Sequence, residues 1–364
     1  KAGSGKRGID RKMKELESFR VNPDLLKQFC AEVFEKLGLS DIQANITADQ
    51  LVWADLMGIG SHGVTRIGIY ARRIQAGLVN IKPDIKPVKE TSSVAVLDGD
   101  NGLGQVVGVR AVELAIEKAN KYGVGVVGVR NNNHFGCAGY YALKAIENDM
   151  VGIVMSNAPS TMAPWGARVP YLGTNPIAFG VPTKEFPPIL LDMATSIVAR
   201  GKIILSAKEG KAIPEGWAVD PEGEFTTDPE LALKGAVLPF GGPKGSGIAI
   251  MIDILSGILS GAAFGPHIGS LYDDFSRPQD VGNFMIVFNI SDFCPVDEFK
   301  ERIEKMREEI KSLPRAKGVE EIMLPGEIEF RNYMENRRSG IALSPEVIKE
   351  LKEVGESVSV NFSL

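Results

Sequence analysis

Three histidines are the first place to look for proton chemistry in this chain: His62, His134 and His267. Imidazole titrates closest to neutral pH of all the side chains, which suits it to general acid or base work. His62 stands in "SHGVTR", and His62, Arg66 and Tyr70 recur at i, i+4 and i+8, the repeat of one helical face. An imidazole, a guanidinium and a phenol on one face would recognise a carboxylate, because the planar guanidinium can bond both carboxylate oxygens. A solvated helix face carries the same residues equally well. His134 lies in "NNNHFG", behind an alternating strand and ahead of small residues that leave room for a ligand. A structural histidine suits that place too. His267, in "FGPHIG", has no polar company and reads as structural. None of the three falls at metal-ligand spacing, so no metal is expected.

Glycine-bearing loops are the next resource, since backbone N–H groups can cradle phosphates. "KYGVGVVGVRNNNHFG" holds a literal G-x-G-x-x-G at Gly123, Gly125 and Gly128. The dinucleotide fingerprint requires a strand before it and a helix after it. Here the order is reversed. A helical stretch, "VGVRAVELAIEKANKYG", comes first, so Gly123 reads as the glycine just past a helix end. "VGVVGVR" then reads as a buried strand leading to His134. "SVAVLDGDNGLGQVVG" has the better context, with a strand before Gly102, Gly104 and Gly108 and a helix after them. It is a phosphate loop or a plain strand-to-helix turn whose glycines supply unusual dihedrals. In "LPFGGPKGSG", Lys244 sits between glycines, where it could hold a phosphate or carboxylate or simply belong to a tight surface turn. No nucleophile elbow or Walker loop occurs. Cys137, close to His134, reads as a small buried thiol before it reads as a nucleophile.

These groups need a scaffold to hold them. At 364 residues the chain can form two domains, or one large domain with an appendage. A net charge of −5 gives no basic footprint for nucleic acid. Cys30, Cys137 and Cys294 are far apart and form no C-x-x-C, which fits a reducing cytoplasm and no disulfide framework. The basic opening, "KAGSGKRGIDRKMKELESFR", lacks the apolar stretch of a secretory signal. The apolar run "GIAIMIDILSGILSGAAFG" carries Asp253 and reads as a buried helix, so no membrane span is expected. Residues 22–84 read as a helical segment, with a capping box at Ser40 and Gln43 and a second helix running from an N-cap at Ser61 to a stop at Gly77. Residues 85–292 mix strands, helices and glycine turns without the regular alternation of a doubly wound sheet. Residues 293–364 return to charged amphipathic helix, expected to pack back on the N-terminal part.

Taken together, "DLMGIGSHGVTR", "NNNHFGCAGYYA", "PWGARVPYLGTNPIAFGVPT", "LLDMATS", "IPEGWAVDPEGEFTTDP" and "GGPKGSGIAIMIDILSG" resemble the second, non-Rossmann malate/L-lactate dehydrogenase family. That family also includes ureidoglycolate and sulfolactate dehydrogenases and diketogulonate reductase. The resemblance covers about residues 22 to 330 in one unbroken order. It implies a family-specific α/β fold that binds NAD or NADP outside any Rossmann fingerprint, with a mixed sheet and helical terminal segments. It implies hydride transfer between that cofactor and a small 2-hydroxy or 2-oxo acid, a carboxylate substrate, in a homodimer with active sites near the subunit interface. By similarity His134 is the general acid/base, and Ser61, His62, Arg66 and Tyr70 line the substrate site. Cofactor contacts carry over to Gly173, Thr174 and Asn175, to Asp192, Met193 and Ala194, to Lys244, and to Gly326 and Glu327. Relatives often carry Ser where this chain has Ala158; Ser156, Asn157 and Ser160 are the residues at hand to replace it. The short "LPFGGPKGSG" and the "LYDD" stretch look most like the ureidoglycolate branch. Two other readings stand beside this one: a non-catalytic ligand sensor of the same fold, and a nucleotide or S-adenosylmethionine enzyme using Gly102 to Gly108.

Overall fold

The computed structural model describes residues 19–363, so most of the basic opening stretch lies outside the described residues. These residues divide into two compact units, one formed by the chain up to Gly77 together with Ile328 onward, the other by Leu78–Glu327.

In the first unit, strand β1 (Phe19–Val21) pairs antiparallel with Ile341–Leu343. The Asn22 side chain accepts hydrogen bonds from the Asp24 and Leu25 N–H groups and so starts the helix Pro23–Lys36. The capping box forms as expected. Ser40 Oγ accepts from the Gln43 N–H and Gln43 Oε1 accepts from the Ser40 N–H, opening the helix Asp41–Leu56. Ser61, however, does not cap the next helix. Two short 3₁₀ turns, Gly60–His62 and Val64–Arg66, precede an α-helix that begins only at Ile67 and runs to Gln75. The interruption has a local cause. Gly63 is extended (φ −88°, ψ −149°), and the Asp55 carboxylate takes the Val64 N–H at 2.7 Å. Gly77 follows the helix at φ +71°, the left-handed stop that its position implied.

The second unit is built on a sheet. Strands β2 (Lys86–Glu90), β3 (Val94–Asp98), β4 (Val124–Asn132), β5 (Met150–Ser156), β6 (Ile177–Val181) and β7 (Ile189–Met193) follow one another along the chain. A separate two-strand ladder joins β8 (Ala218–Val219) to β9 (Ala236–Val237). Strand β10 (Val281–Asn289) then returns to lie between β4 and β5, giving the order β2-β3-β4-β10-β5-β6-β7. Of the six pairings only β3 with β4 is parallel. This is a mixed sheet, as expected, and not a doubly wound one.

The glycines of residues 123–128 serve this packing. Gly123 ends the helix Gly104–Tyr122 in the left-handed conformation, and β4 begins at the next residue. A side chain at Gly125 would come within 1.9 Å of the Ala115 carbonyl oxygen in that helix. One at Gly128 would come within 2.5 Å of Ser260 Oγ. Three residues apart on a strand means opposite faces. Bare backbone therefore lets the helix close on one side of β4 and the segment around Ser260 on the other. The rival loop is spent in the same way: a Cβ at Gly104 would strike the His134 carbonyl at 2.2 Å, and one at Gly108 the Tyr141 ring at 2.6 Å. The apolar run from residue 247 is a helix, Pro243–Asp253, that continues as a π-helical turn, Ile254–Leu259. Asp253 inside it is buried, bonded to the Asn157 amide and the Gly265 N–H; burial still raises its pKa above the usual carboxylate range. Among the described residues no helix is long and apolar enough to cross a membrane.

Candidate active site

His134 follows the end of β4, and the amide nitrogen of each asparagine before it has a partner. Asn131 adopts a left-handed conformation, its N–H donating to Asp280 and its amide to Asp98. The Asn132 amide donates to Asn283 Oδ1 at 2.6 Å, and the Asn133 amide to the Gly102 carbonyl at 2.8 Å and to Asn101. The His134 N–H itself donates to Gln279 Oε1 at 3.1 Å, and Gln279, only 1% exposed, is held in turn by the Gly269 carbonyl. Segments distant in sequence thus fix the backbone of one histidine and leave its imidazole half-buried. Such a group is placed to exchange a proton with a bound molecule. Cys137 is buried beside it, as expected of a packed thiol, and His267 stands edge-on to Phe264 with ring centroids 5.1 Å apart.

In the first unit, one turn gathers three of the four residues expected to line a substrate site. Ser61 Oγ lies 2.9 Å from His62 Nδ1, and Arg66 Nε donates to the Ser61 carbonyl at 2.6 Å. Burial, and then the Arg66 charge, push the His62 pKa down to about 4, so the imidazole is neutral at pH 7. Tyr70 lies on the buried helix that follows. Because the helix starts at Ile67, the i, i+4, i+8 face does not exist; a turn brings Ser61, His62 and Arg66 together instead.

The expected cofactor positions lie in the second unit, and Thr195, which spacing did not single out, ties several of them together. Its N–H and Oγ1 both donate to the Thr174 carbonyl, and its own carbonyl accepts the Phe240 N–H, four residues before Lys244. A Cβ at Gly173 would come within 2.1 Å of the Ala158 carbonyl oxygen. The fully buried Asn175 accepts the Ala158 N–H and donates to the Ala249 carbonyl, so its amide supports the turn. Ser156, Asn157 and Ser160 are all engaged: Ser156 Oγ with the Asn157 carbonyl, the Asn157 amide with Asp253, and Ser160 Oγ with the Tyr171 carbonyl. Asp192 accepts the Gly139 N–H at 2.8 Å, while Met193 and Ala194 after it stay half-buried. The Leu190 N–H of the same strand donates to the Pro325 carbonyl, which brings Gly326 (φ +92°) against β7. Glu327 is buried, with Lys311 Nζ 2.9 and 2.8 Å from its two carboxylate oxygens, and so braces that turn. Lys244 is exposed in the first turn of its helix, behind two positive-φ glycines, Gly241 and Gly242. An ammonium and the N–H groups of a helix start suit a pyrophosphate, and half-buried backbone at Thr174 and Asp192–Ala194 can flank a planar ring. These residues fit a dinucleotide, with Asn175 and Glu327 as supports.

A mixed sheet whose two glycine loops, among the described residues, are closed by packing defines a non-Rossmann α/β protein. The family model described as malate/L-lactate dehydrogenase matches residues 21–352, and the chain belongs to that family. It is 45% identical to a malate dehydrogenase of Pyrococcus horikoshii, covering 94% of this chain and 96% of that one. The solved structure of that enzyme matches with a TM-score of 0.88 over 95% of this chain and 97% of that one. An L-sulfolactate dehydrogenase of Methanocaldococcus jannaschii is 44% identical over 94% and 98% of the two chains. The NAD(+)-dependent ureidoglycolate dehydrogenase of Escherichia coli K12 is 33% identical over 91% and 95%. Overall identity therefore does not favour the ureidoglycolate branch to which the two short loops pointed.

Proposed function

We propose that this protein is an NAD(P)-dependent dehydrogenase of small 2-hydroxy acids that bear a second anionic group, with malate and L-sulfolactate as the leading substrates. The observation that carries the reading is the anchoring of His134 by buried amides at a strand end, in a chain of this family. His134 takes the proton of the C2 hydroxyl as the acid is oxidised to its 2-oxo form, and returns it in reduction. The nicotinamide, when bound, supplies the hydride acceptor. Arg66 pairs with the substrate carboxylate, neutral His62 and Ser61 complete the turn around it, and Tyr70 lines the site. Gly173, Thr174, Asp192, Met193, Ala194, Lys244 and Gly326 border the cofactor, with Asn175 and Glu327 holding that border in place. Three cysteines far apart in sequence, with no C-x-x-C among them, support a reducing, cytoplasmic setting.

The assembly we propose is a homodimer. Ile250, Ile254 and Ile258 repeat along the outer side of residues 243–259 and are all exposed, with Met251 and Leu259 beside them. A face of that kind is usually covered by a partner. The decisive experiment is turnover of malate, sulfolactate, lactate and ureidoglycolate, each with NAD and with NADP. Rates for malate or sulfolactate above the others support the reading. Cofactor binding with no turnover of any acid would leave the ligand-sensor alternative in its place.

A further inference from the structure

Beneath the turn that carries Ser61, His62 and Arg66 lies a carboxylate that neither the proton chemistry nor the anion pairing uses. Asp55, in the last turn of the helix Asp41–Leu56, is only 6% exposed. Its Oδ2 accepts the Val64 N–H at 2.7 Å. Gly63 runs directly over it: a Cβ there would fall 2.1 Å from Oδ1 and 2.2 Å from Cγ and Oδ2. The φ of Gly63 is negative, so no dihedral demands glycine here. What demands it is the space the carboxylate fills. Gly60, at the start of the turn, would place a Cβ 3.5 Å from the same Oδ1.

The rest of the turn is tied to itself. Thr65 Oγ1 donates to the Gly60 carbonyl, the Arg66 N–H to the Gly63 carbonyl, and Arg66 Nε to the Ser61 carbonyl. Those bonds give the turn its shape, whereas the Asp55–Val64 bond anchors that shape to a rigid helix. The position is a costly one for an acid, since burial holds the carboxyl up at about 7 even though the Val64 N–H bond pulls it down.

We infer that Asp55 is the positioning residue of the substrate turn, an acceptor that locks the Val64 N–H and thereby aims the residues on either side of Gly63. This rests on the proposed role of Arg66 in gripping the carboxylate. A grip displaced by even a fraction of an ångström loses its two-bond geometry, while the residues of the dinucleotide border belong to the other unit and keep their own bonds.

The test is the Michaelis constant for oxaloacetate, set against the NADH dissociation constant from fluorescence titration. Asp55→Ala should raise the oxaloacetate KM by about tenfold or more, with NADH affinity within about twofold of wild type. Asp55→Asn retains an acceptor for Val64 and should stay within about threefold. If Asp55→Ala does not fold, Gly63→Ala carries the test, because its methyl displaces the carboxylate and should produce the same split. Asp55→Ala that leaves KM unchanged, or that weakens acid and NADH alike, overturns the inference. Arg66→Lys is measured alongside. Should it raise KM while Asp55→Ala and Gly63→Ala do not, the positioning role alone is lost; should none of the three move KM, the substrate role of the turn falls first.

Discussion

His134 and His62 are held in different ways, one through its backbone and the other in a buried turn, and each arrangement leads to a measurement. His134 is held through its backbone with a half-buried ring, so removing the ring should remove proton transfer and little else. His134→Ala is expected to lower kcat by about a hundredfold or more, with NADH binding nearly unchanged. Most of the activity surviving that change would make His134 structural. His62 differs because its pKa is already depressed to about 4. It stays neutral through the range where enzymes of this kind are assayed. His62→Gln should therefore leave the shape of the pH–rate profile between about pH 5.5 and 8 intact, whatever it does to KM. The sign for stability follows from linkage. The unfolded ring takes up a proton near its ordinary value while the folded one resists until about 4, so stability falls as pH drops through that window. The loss in Tm between those two pH values should be smaller in His62→Gln than in wild type. An equal loss would show that another group governs acid lability.

At the level of elements, the helix Gly104–Tyr122 sets the floor beneath His134. Its first residue has no room for a methyl group, because the His134 and Asn133 carbonyl oxygens stand 2.2 and 2.5 Å from where a Cβ would lie. Gly104→Ala must push the helix start or the histidine backbone aside, and kcat should fall by about tenfold or more while far-UV circular dichroism holds. Unchanged kcat would mean that the helix start absorbs the strain alone. The same stretch shows what a sequence can and cannot disclose. Gly123 was readable because a helix end followed by a strand demands a left-handed glycine, a purely local requirement. The capping box at Ser40 was readable on the same ground. Ser61 misled, because the Asp55 side chain takes the Val64 N–H and breaks the helix there, and nothing in the spacing shows that bond. Gln279, Asn283 and Thr195 escaped notice for a similar reason. Each acts on a residue far away in sequence; the need of the buried Asn132 for a partner could have flagged Asn283 alone, since Gln279 serves the His134 N–H and Thr195 the Thr174 carbonyl.

For the molecule as a whole, the exposed apolar row on residues 243–259 makes the strongest demand. Ile254 and Ile258 are 47% and 56% exposed, one helical turn apart, on an element whose other side is packed against the sheet. Ile254→Glu combined with Ile258→Glu should convert the proposed dimer to monomer in sedimentation, since a carboxylate pair cannot be buried against its own copy without partners. A wild-type chain that sediments as a monomer would remove the dimer from consideration.

The late return of β10 sets a timetable for the nascent chain. β10 occupies residues 281–289, yet it separates β4 from β5, which end at Asn132 and Ser156. While the ribosome adds the intervening residues, both of those strands must wait with one edge unpaired, at elongation rates of about 5–20 residues per second. The centre of the sheet is thus the last part to close, and two apolar strand edges remain open to any neighbouring polypeptide in the meantime. Chains released early, before Val281, would keep those edges for good. For such fragments the competing fate is edge-to-edge aggregation, and quality control during translation, more than the equilibrium stability of the finished fold, would govern the yield of intact protein.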